Sequence, residues 1–327
     1  MYVVTGGAGF IGSNIVAALD GIGKDVVVID TLEPGNKSRN LAKRQHIDIV
    51  SPSDTFLFLE RCANTIEGVI HMAAISDTTA KDINLLISTN FKLSCELWGW
   101  CARQNVTFVF ASSAATYGDG SAGFDGFEDR ESLAKLRPLN AYGRSKHMFD
   151  CWISRQIETD ASRPLKWAGL KFFNVYGPNE YHKGSQRSVA LQIFDRIAEG
   201  KPIELFESND SRFENGGQMR DFVWVGDCVR AVFWLMNTEL VSGIFNMGTG
   251  QARSFNDLVG IIYSHLNAEE KIKYVPMPNE IQGKYQNFTQ ANMSKLKSSG
   301  LNPKFKNLEK GLGIYIKKYL LNDDKYL

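Results

Sequence analysis

A tyrosine and a lysine stand four residues apart at Tyr142 and Lys146, in the segment YGRSK. On a helix, residues at this spacing lie on the same face. Tyrosine ordinarily titrates near pH ~10, which is too high for a base at neutral pH. A neighbouring ammonium stabilises the phenolate, so the pair could take the proton from an alcohol while that alcohol is oxidised.

Ser113 is the third candidate for this chemistry. It lies in SSAATYG at residues 112–118, directly after the apolar run VTFVFA. At the carboxyl end of a parallel strand, small hydroxyl side chains face the ligand crevice. We therefore predict that Ser113 hydrogen-bonds the hydroxyl group that is oxidised.

A glycine-rich loop opens the chain, in YVVTGGAGFIG at residues 2–12. An apolar strand enters the loop and a helix leaves it, so backbone N–H groups and the helix N-terminus can approach a pyrophosphate. The loop predicts binding of a nicotinamide dinucleotide. The residues that we assign to this contact are Gly6, Gly9, Phe10, Ile11 and Gly12.

Asp30 and Thr31 follow the second apolar strand, VVVI, where an acid meets the adenosine ribose of a dinucleotide. A carboxylate repels a 2′-phosphate, which favours NAD. Lys37 comes seven residues later, so a cation there could offset the repulsion and allow NADP. Otherwise Lys37 is a solvated loop lysine and the cofactor is NAD.

Composition excludes several classes of protein. The 327 residues include 37 Lys and Arg against 36 Asp and Glu, so no basic footprint indicates nucleic acid or an anionic membrane as a partner. No apolar stretch is long enough for a membrane span and no signal peptide is visible, so we expect a cytoplasmic location. The scattered cysteines and histidines show no metal-ligand spacing and no disulfide framework.

Apolar runs alternate with helix-length segments through the first half, which predicts an α/β fold with a doubly wound parallel sheet. Trp167–Val175, Phe222–Val225 and Gly243–Met247 indicate further strands, and Glu207–Arg220 indicates a polar loop. We assign residues 1–173 and 222–250 to a dinucleotide-binding domain. Residues 174–221 and 251–327 then form a smaller α/β substrate-binding domain.

Together these features resemble the extended short-chain dehydrogenase/reductase family of epimerases and dehydratases. The residues that carry the resemblance are TGGAGFIG at 5–12, Asp30, SSAATYG, Tyr142 with Lys146, and FNVYGP at 173–178. The resemblance implies a Rossmann fold, a nicotinamide cofactor and a nucleotide-sugar substrate.

Four further segments are similar to the members of this family that invert carbon 6 of an ADP-linked heptose. The resemblance implies an ADP-sugar substrate, NADP with NAD as the alternative, and a homo-oligomer, by analogy a pentamer. It also implies that Lys183 is a second catalytic base, although Lys183 could instead bind phosphate or be solvated. The segments are FFNVYGPNEYHKGSQRSVA at 172–190, RDFVWVGD at 220–227, GIFNMGTGQARSF at 243–255 and QGKYQNFTQAN at 282–292.

The same resemblance implies two sets of binding residues. A guanidinium such as that of Arg220 suits a diphosphate, although a surface salt bridge is the alternative, and Tyr285 could simply pack. The cofactor wall comprises Met72, Ala73, Ala74, Ile75, Ser76, Asn90 and Val175, beside Tyr142 and Lys146. The substrate site comprises Ser113, Asn174, Lys183, Ser185, Gln192, Phe206, Glu207, Ser208, Asn209, Arg220 and Tyr285.

Two rival functions stay open at this stage. One is a 4-epimerase or 4,6-dehydratase acting on another nucleotide sugar. A dehydratase needs acidic residues next to its catalytic hydroxyl residue, and Ala114 and Ala115 occupy those positions here, which disfavours the dehydratase. The other is a nicotinamide-binding regulatory protein without catalysis, which the intact Tyr142 and Lys146 disfavour. The chain also departs from the pattern at Met72, where an acid is usual, and in the longer loop 208–219.

Overall fold

Short apolar segments form the strands of this protein. The structure is a computed structural model that describes residues 1–32, 35–45, 47–239, 241–279, 285–301 and 304–327. Its strands are β1 Tyr2–Thr5, β2 Val26–Ile29, β3 Ile47–Val50, β4 Gly68–His71, β5 Thr107–Ser113, β6 Trp167–Phe172, β7 Asn174–Tyr176, β8 Ile203–Phe206, β9 Met219–Trp224, β10 Gly243–Met247, β11 Ala252–Ser254 and β12 Ile272–Val275.

Helices connect most of these strands. None of the helices in the described ranges is long and apolar enough to cross a membrane. A π-helical turn at Ile87–Lys92 joins two helices, and 3₁₀ turns occur at Ala114–Tyr117 and Tyr181–Gln186. The helices are α1 Phe10–Asp20, α2 Asn36–Arg39, α3 Thr55–Cys62, α4 Ile83–Leu86, α5 Leu93–Gln104, α6 Arg130–Leu133, α7 Ala141–Glu158, α8 Val189–Ala198, α9 Val225–Asn237, α10 Phe255–Leu266, α11 Ser294–Ser298 and α12 Leu308–Tyr315.

Within the described residues, parallel strands form a seven-stranded sheet in the order β3-β2-β1-β4-β5-β6-β10. Successive residues of β1 face opposite sides: Val3 belongs to the core with Trp98, and Val4 to the core with Ile15. Helices therefore cover both faces, which confirms the predicted doubly wound α/β fold. The strand order reverses between β1 and β4, and ligands bind such sheets at the carboxyl ends of the strands beside this switch point.

The C-terminal part builds a separate apolar core on smaller sheets. Strands β11, β9 and β7 form one sheet, and β12 pairs in parallel with β8. Leu191 of α8, Leu258 of α10 and Leu312 of α12 pack in this core with Phe222 of β9. In the chain, the strands of this smaller α/β part lie on both sides of β10, the last strand of the main sheet: β7, β8 and β9 come before it, and β11 and β12 come after it.

Two predicted strands differ from the structure at the junction between these parts. The run Trp167–Val175 is not one strand, because the chain leaves the main sheet at Phe173 and β7 pairs with β9 instead. Residues 222–224 belong to β9, which begins already at Met219 and lies in the small sheet, while Val225 begins helix α9. Residues 222–224 therefore lie outside the dinucleotide-binding sheet to which we assigned them; the rest of the domain division stays a prediction.

Candidate active site

The glycine loop between β1 and α1 is shaped by close backbone contacts. Gly6 has φ +66°, and a Cβ there would lie 2.6 Å from the Ala73 backbone nitrogen. A Cβ at Gly12 would lie 2.2 Å from the Gly6 carbonyl oxygen. Helix α1 begins after Gly9 without a side-chain cap and without an acid in its first turn. Its first N–H groups are therefore available to an anion, and the loop fits a pyrophosphate.

Asp30 is fixed at the end of β2 by both of its oxygens. The Ala8 backbone N–H donates to Oδ2 at 2.9 Å, and the Lys37 ammonium lies 2.5 Å from Oδ1. The Thr31 backbone N–H also donates to Oδ1, at 2.8 Å. The structure thus brings Asp30 and Lys37 together beside the loop, and Lys37 is not simply a solvated lysine.

Asn90 connects the predicted cofactor wall to the helix with the candidate base. It lies buried in the π-helical turn, where its side chain exchanges hydrogen bonds with the backbone of Ile75, at 2.9 and 3.0 Å. Its amide also donates to the Ser145 hydroxyl at 2.9 Å, and that hydroxyl donates to the Tyr142 carbonyl at 2.7 Å. Asn90 therefore braces the wall at residues 72–76 against helix α7.

Tyr142 and Lys146 lie in the first turns of α7. Asn140 caps the helix, accepting a hydrogen bond from the Gly143 N–H at 2.7 Å. The Tyr142 hydroxyl hydrogen-bonds Ser113, which ends β5. The structure thus assembles the three predicted catalytic side chains.

Burial acts on both titratable groups of this set. It lowers the pKa of Lys146 to about 8, and the carboxylate of Asp150 opposes that change. It raises the pKa of Tyr142, while the hydrogen bond with Ser113 lowers it and Asp150 raises it further. We expected the neighbouring ammonium to lower the pKa of Tyr142; in the protein alone, burial raises it.

Lys183 reaches the glycine loop from a distant part of the chain. It lies in the 3₁₀ turn after β7, and its ammonium is 5.7 Å from the centre of the Phe10 ring, at the start of α1. Burial lowers the pKa of Lys183, and Glu180 opposes this change. A second basic side chain thus lies beside the loop, with a proton that it can release more easily than an ordinary lysine.

Arg220 and Tyr285 contact each other in the smaller part of the structure. The Arg220 guanidinium is 5.0 Å from the Tyr285 ring centre, and that ring packs edge-on against Phe206 at 5.9 Å. Burial lowers the pKa of Arg220, and Tyr285 opposes this change. Its guanidinium donates to the Met219 carbonyl at 2.9 Å, and no described carboxylate forms an ion pair with it. The surface salt bridge considered for Arg220 is therefore absent from the described residues.

The remaining predicted substrate residues have mixed surroundings. The Gln192 amide donates to the Arg187 carbonyl at 2.8 Å, so it braces the turn of Lys183. The Asn287 amide donates to Asn209 at 3.0 Å, which joins the long loop to the segment after Tyr285. Residues 282–284 of the QGKYQNFTQAN segment lie outside the described residues. Asn174, Ser185 and Glu207 are exposed, while Val175, Phe206 and Ser208 are half-buried.

Sequence reasoning missed a charged pair behind this site. Lys171 lies near the carboxyl end of β6 and Asp150 in α7, and both side chains are fully buried. One signal was available: Lys171 interrupts the otherwise apolar run WAGLKFF. Asp150 also stands four residues after Lys146, on the same helix face.

A Rossmann sheet with this loop and a Ser–Tyr–Lys set is typical of enzymes that oxidise and reduce an alcohol with a nicotinamide dinucleotide. The model of the NAD dependent epimerase/dehydratase family matches residues 2–248, and the chain belongs to this family.

Known proteins similar to this chain include enzymes that invert sugars. An ADP-L-glycero-D-manno-heptose-6-epimerase from Nitratidesulfovibrio vulgaris is 44% identical over 331 residues, covering 100% of both chains. The crystal structure of the enzyme of the same name from Helicobacter pylori has TM-score 0.77 and 28% identity, covering 97% of this chain and 95% of that one. A UDP-N-acetylglucosamine 4-epimerase from Methanobrevibacter ruminantium has TM-score 0.80 and 25% identity, covering 97% and 96%.

Proposed function

We propose that this protein inverts carbon 6 of ADP-D-glycero-D-manno-heptose to give ADP-L-glycero-D-manno-heptose, by transient oxidation to a 6-keto sugar. The observation that carries the proposal is that a second basic side chain, Lys183, reaches the glycine loop from a distant segment, with its ammonium 5.7 Å from the centre of the Phe10 ring, in addition to Tyr142 on α7. The relative from Nitratidesulfovibrio vulgaris, similar over its full length, bears the name of this activity.

The chemistry explains why two bases are needed. The hydrogen on carbon 6 is not next to a carbonyl, so a base alone cannot remove it. When bound, the nicotinamide supplies reversible hydride transfer at that carbon. Because the nicotinamide is fixed, the ketone must turn before reduction on its other face. Each orientation of the sugar then needs its own proton partner, which we assign to Tyr142 in one and Lys183 in the other.

The protein's own groups fit these roles. Ser113, hydrogen-bonded to Tyr142, can accept or donate at the same sugar hydroxyl. Burial lowers the pKa of Lys183, so its neutral amine, the form that accepts a proton, is reached more easily than in an ordinary lysine. Arg220 offers a planar guanidinium for the diphosphate, with Tyr285 stacked on it.

For the cofactor we propose NADP, with NAD as the alternative. The ion pair between Lys37 and Asp30 neutralises the carboxylate that would repel a 2′-phosphate. Mass determination of the nicotinamide released from the denatured protein distinguishes the two. The homo-oligomer stays a prediction from the resemblance, and light scattering tests it. The cytoplasmic location stays a prediction from the sequence.

The test of the function is incubation with ADP-D-glycero-D-manno-heptose, with carbon 6 followed by NMR. We expect inversion by the wild type, and its loss in Tyr142→Phe and in Lys183→Ala, both with cofactor still bound. Lys201→Ala is the matched control, because Lys201 is exposed and paired with Glu199 at 2.6 Å. Full activity in Lys183→Ala would refute the second base. Inversion of carbon 4 in a UDP-hexose, with none in the heptose, would favour the rival 4-epimerase.

A further inference from the structure

A buried ion pair lies directly behind the proposed catalytic groups. The Lys171 ammonium on β6 is 2.7 Å from Oδ2 of Asp150 on α7, and both side chains are 0% exposed. Removing two charges from water costs several kcal/mol per ion, and an ion pair is often no more stabilising than apolar residues of the same size. Stability of the fold alone therefore does not explain why these charges are buried here.

The pair is the centre of a hydrogen-bond network that joins three segments. Oδ2 of Asp150 also accepts from the Ser112 hydroxyl at 3.0 Å, at the end of β5. The Lys171 ammonium donates to the Thr116 hydroxyl at 2.7 Å, and that hydroxyl donates to the Ser113 carbonyl at 2.8 Å. Strand end, 3₁₀ turn and helix α7 are thereby held to one another.

We infer that the Asp150–Lys171 ion pair positions the groups that move the proton in the proposed reaction. It fixes the strand end with Ser113 against the helix with Tyr142 and Lys146. Its carboxylate also sets the electrostatic potential at those two side chains. The inference rests on the proposed function and adds a pair of residues that need not touch substrate or cofactor.

The electrostatic part follows from helix geometry. Asp150 comes one turn after Lys146 and two turns after Tyr142, so all three occupy one face of α7. Oδ1 of Asp150 is buried and has no hydrogen-bond partner among the described residues, and charges in a protein interior interact more strongly than in water. The carboxylate raises the pKa of both Tyr142 and Lys146.

Other titratable groups surround the pair from the elements packed against α7. His71 of β4 has its pKa lowered to about 3 by burial and by Lys146, so it is neutral at working pH. Burial likewise lowers the pKa of His147. The ring of Tyr117, in the 3₁₀ turn, lies 4.7 Å from the Lys171 ammonium. Cys151 of α7 and Arg137 also lie nearby, and Arg137 contributes to the lowered pKa of His147. Asp150 is the carboxylate that raises the pKa of Tyr142 and of Lys146.

The test is Asp150→Asn, which keeps the side-chain shape and removes the charge. We expect both limbs of the pH–rate profile for heptose inversion to move to lower pH, by about one unit. The phenolate absorbance of Tyr142, taken as the difference between each protein and its Tyr142→Phe counterpart, should move in the same direction. A purely structural role would slow the enzyme and leave both limbs and the phenolate titration where they are.

If the single variant unfolds, the double variant Asp150→Asn/Lys171→Met tests the same effect of the carboxylate. This double variant removes both charges of the ion pair, so neither Asp150 nor Lys171 is left as an uncompensated charge, and we expect it to melt closer to the wild type than the single variant does. Its phenolate titration should still move to lower pH, because the carboxylate is gone. Unmoved titrations in whichever of the two variants folds would overturn the inference. A wild type that does not invert the heptose would instead refute the proposed function, and the phenolate titration would still test the pair.

Discussion

Replacing Arg220 by methionine tests separately what this buried cation contributes to ligand affinity and to the stability of the protein. Arg220 is 8% exposed, and its polar contacts are with the Met219 carbonyl and with Tyr285. A buried guanidinium without a described carboxylate partner is costly in the ligand-free protein and is suited to an anion. Methionine keeps much of the apolar volume and removes the charge.

The magnitudes follow from these contacts. A guanidinium fork makes charge-assisted hydrogen bonds to a diphosphate, each worth about 1.5–3 kcal/mol. Loss of one such bond weakens binding roughly 10- to 100-fold. In the ligand-free protein the lost hydrogen bonds are offset by the removed desolvation cost, so we expect the free energy of unfolding to fall by no more than about 1 kcal/mol.

The assay is calorimetric titration of ADP into the cofactor-loaded protein, with thermal unfolding measured with and without ADP. Arg253→Met is the matched control. Arg253 lies opposite Arg220 on strand β11 and pairs with Asp257 at 3.1 Å and Glu309 at 2.6 Å. Its loss should lower stability slightly and leave ADP affinity unchanged. Wild-type ADP affinity in Arg220→Met would refute the assignment of Arg220 to the diphosphate.

Three further predictions concern the cofactor and the pH dependence. Gly12→Ala should abolish cofactor retention and lower the free energy of unfolding by about 1–3 kcal/mol, because its Cβ would lie 2.2 Å from the Gly6 carbonyl oxygen. Cofactor absorbance measures the retention, and thermal unfolding measures the stability. Lys37→Ala should weaken NADP more than NAD, in Kd measured for both, because Asp30 then stands uncompensated. The inversion rate should fall above pH 8, because the pKa of Lys146 is lowered to about 8 and the ammonium that stabilises the phenolate loses its proton there.

Each of these predictions has a result that contradicts it. Gly21→Ala is the control for the loop, since its Cβ would lie 3.1 Å from the Ala17 carbonyl oxygen and 3.7 Å from the Ala18 carbonyl oxygen, both outside the loop. Cofactor retention in Gly12→Ala equal to that in this control would show that the loop does not hold the pyrophosphate. Equal losses of NAD and NADP affinity in Lys37→Ala would show that Lys37 does not contact the 2′ position of the adenosine ribose. A rate that keeps rising well above pH 8 would show that the Lys146 ammonium is not required.

The local part of the site could be predicted from sequence. The glycine loop, Asp30 after the second strand, and the spacing of Tyr142 and Lys146 each depend on a few neighbouring residues. Strand, turn and helix geometry then determine their positions, and the structure places them as expected. Patterns of this kind are readable because the backbone period decides which side chains share a face.

The contacts between distant segments could not be derived in this way. Lys183 over the Phe10 ring, and Asp150 against Lys171, depend on how the two parts of the chain pack. Residue spacing alone did not place Lys183; the family resemblance indicated it. The break at Phe173 was missed because an apolar run continues across it while the chain moves from one sheet to another. Periodicity reports burial and does not report which sheet buries the residue.

The most direct test of transient oxidation at carbon 6 is a labelling measurement. ADP-D-glycero-D-manno-heptose carrying deuterium at carbon 6 is converted in ordinary water, and the product is examined by NMR. The proposed mechanism predicts that the inverted product keeps the deuterium at carbon 6, because the hydrogen that leaves this carbon returns to it without meeting solvent. Inverted product with solvent hydrogen at carbon 6 would contradict it.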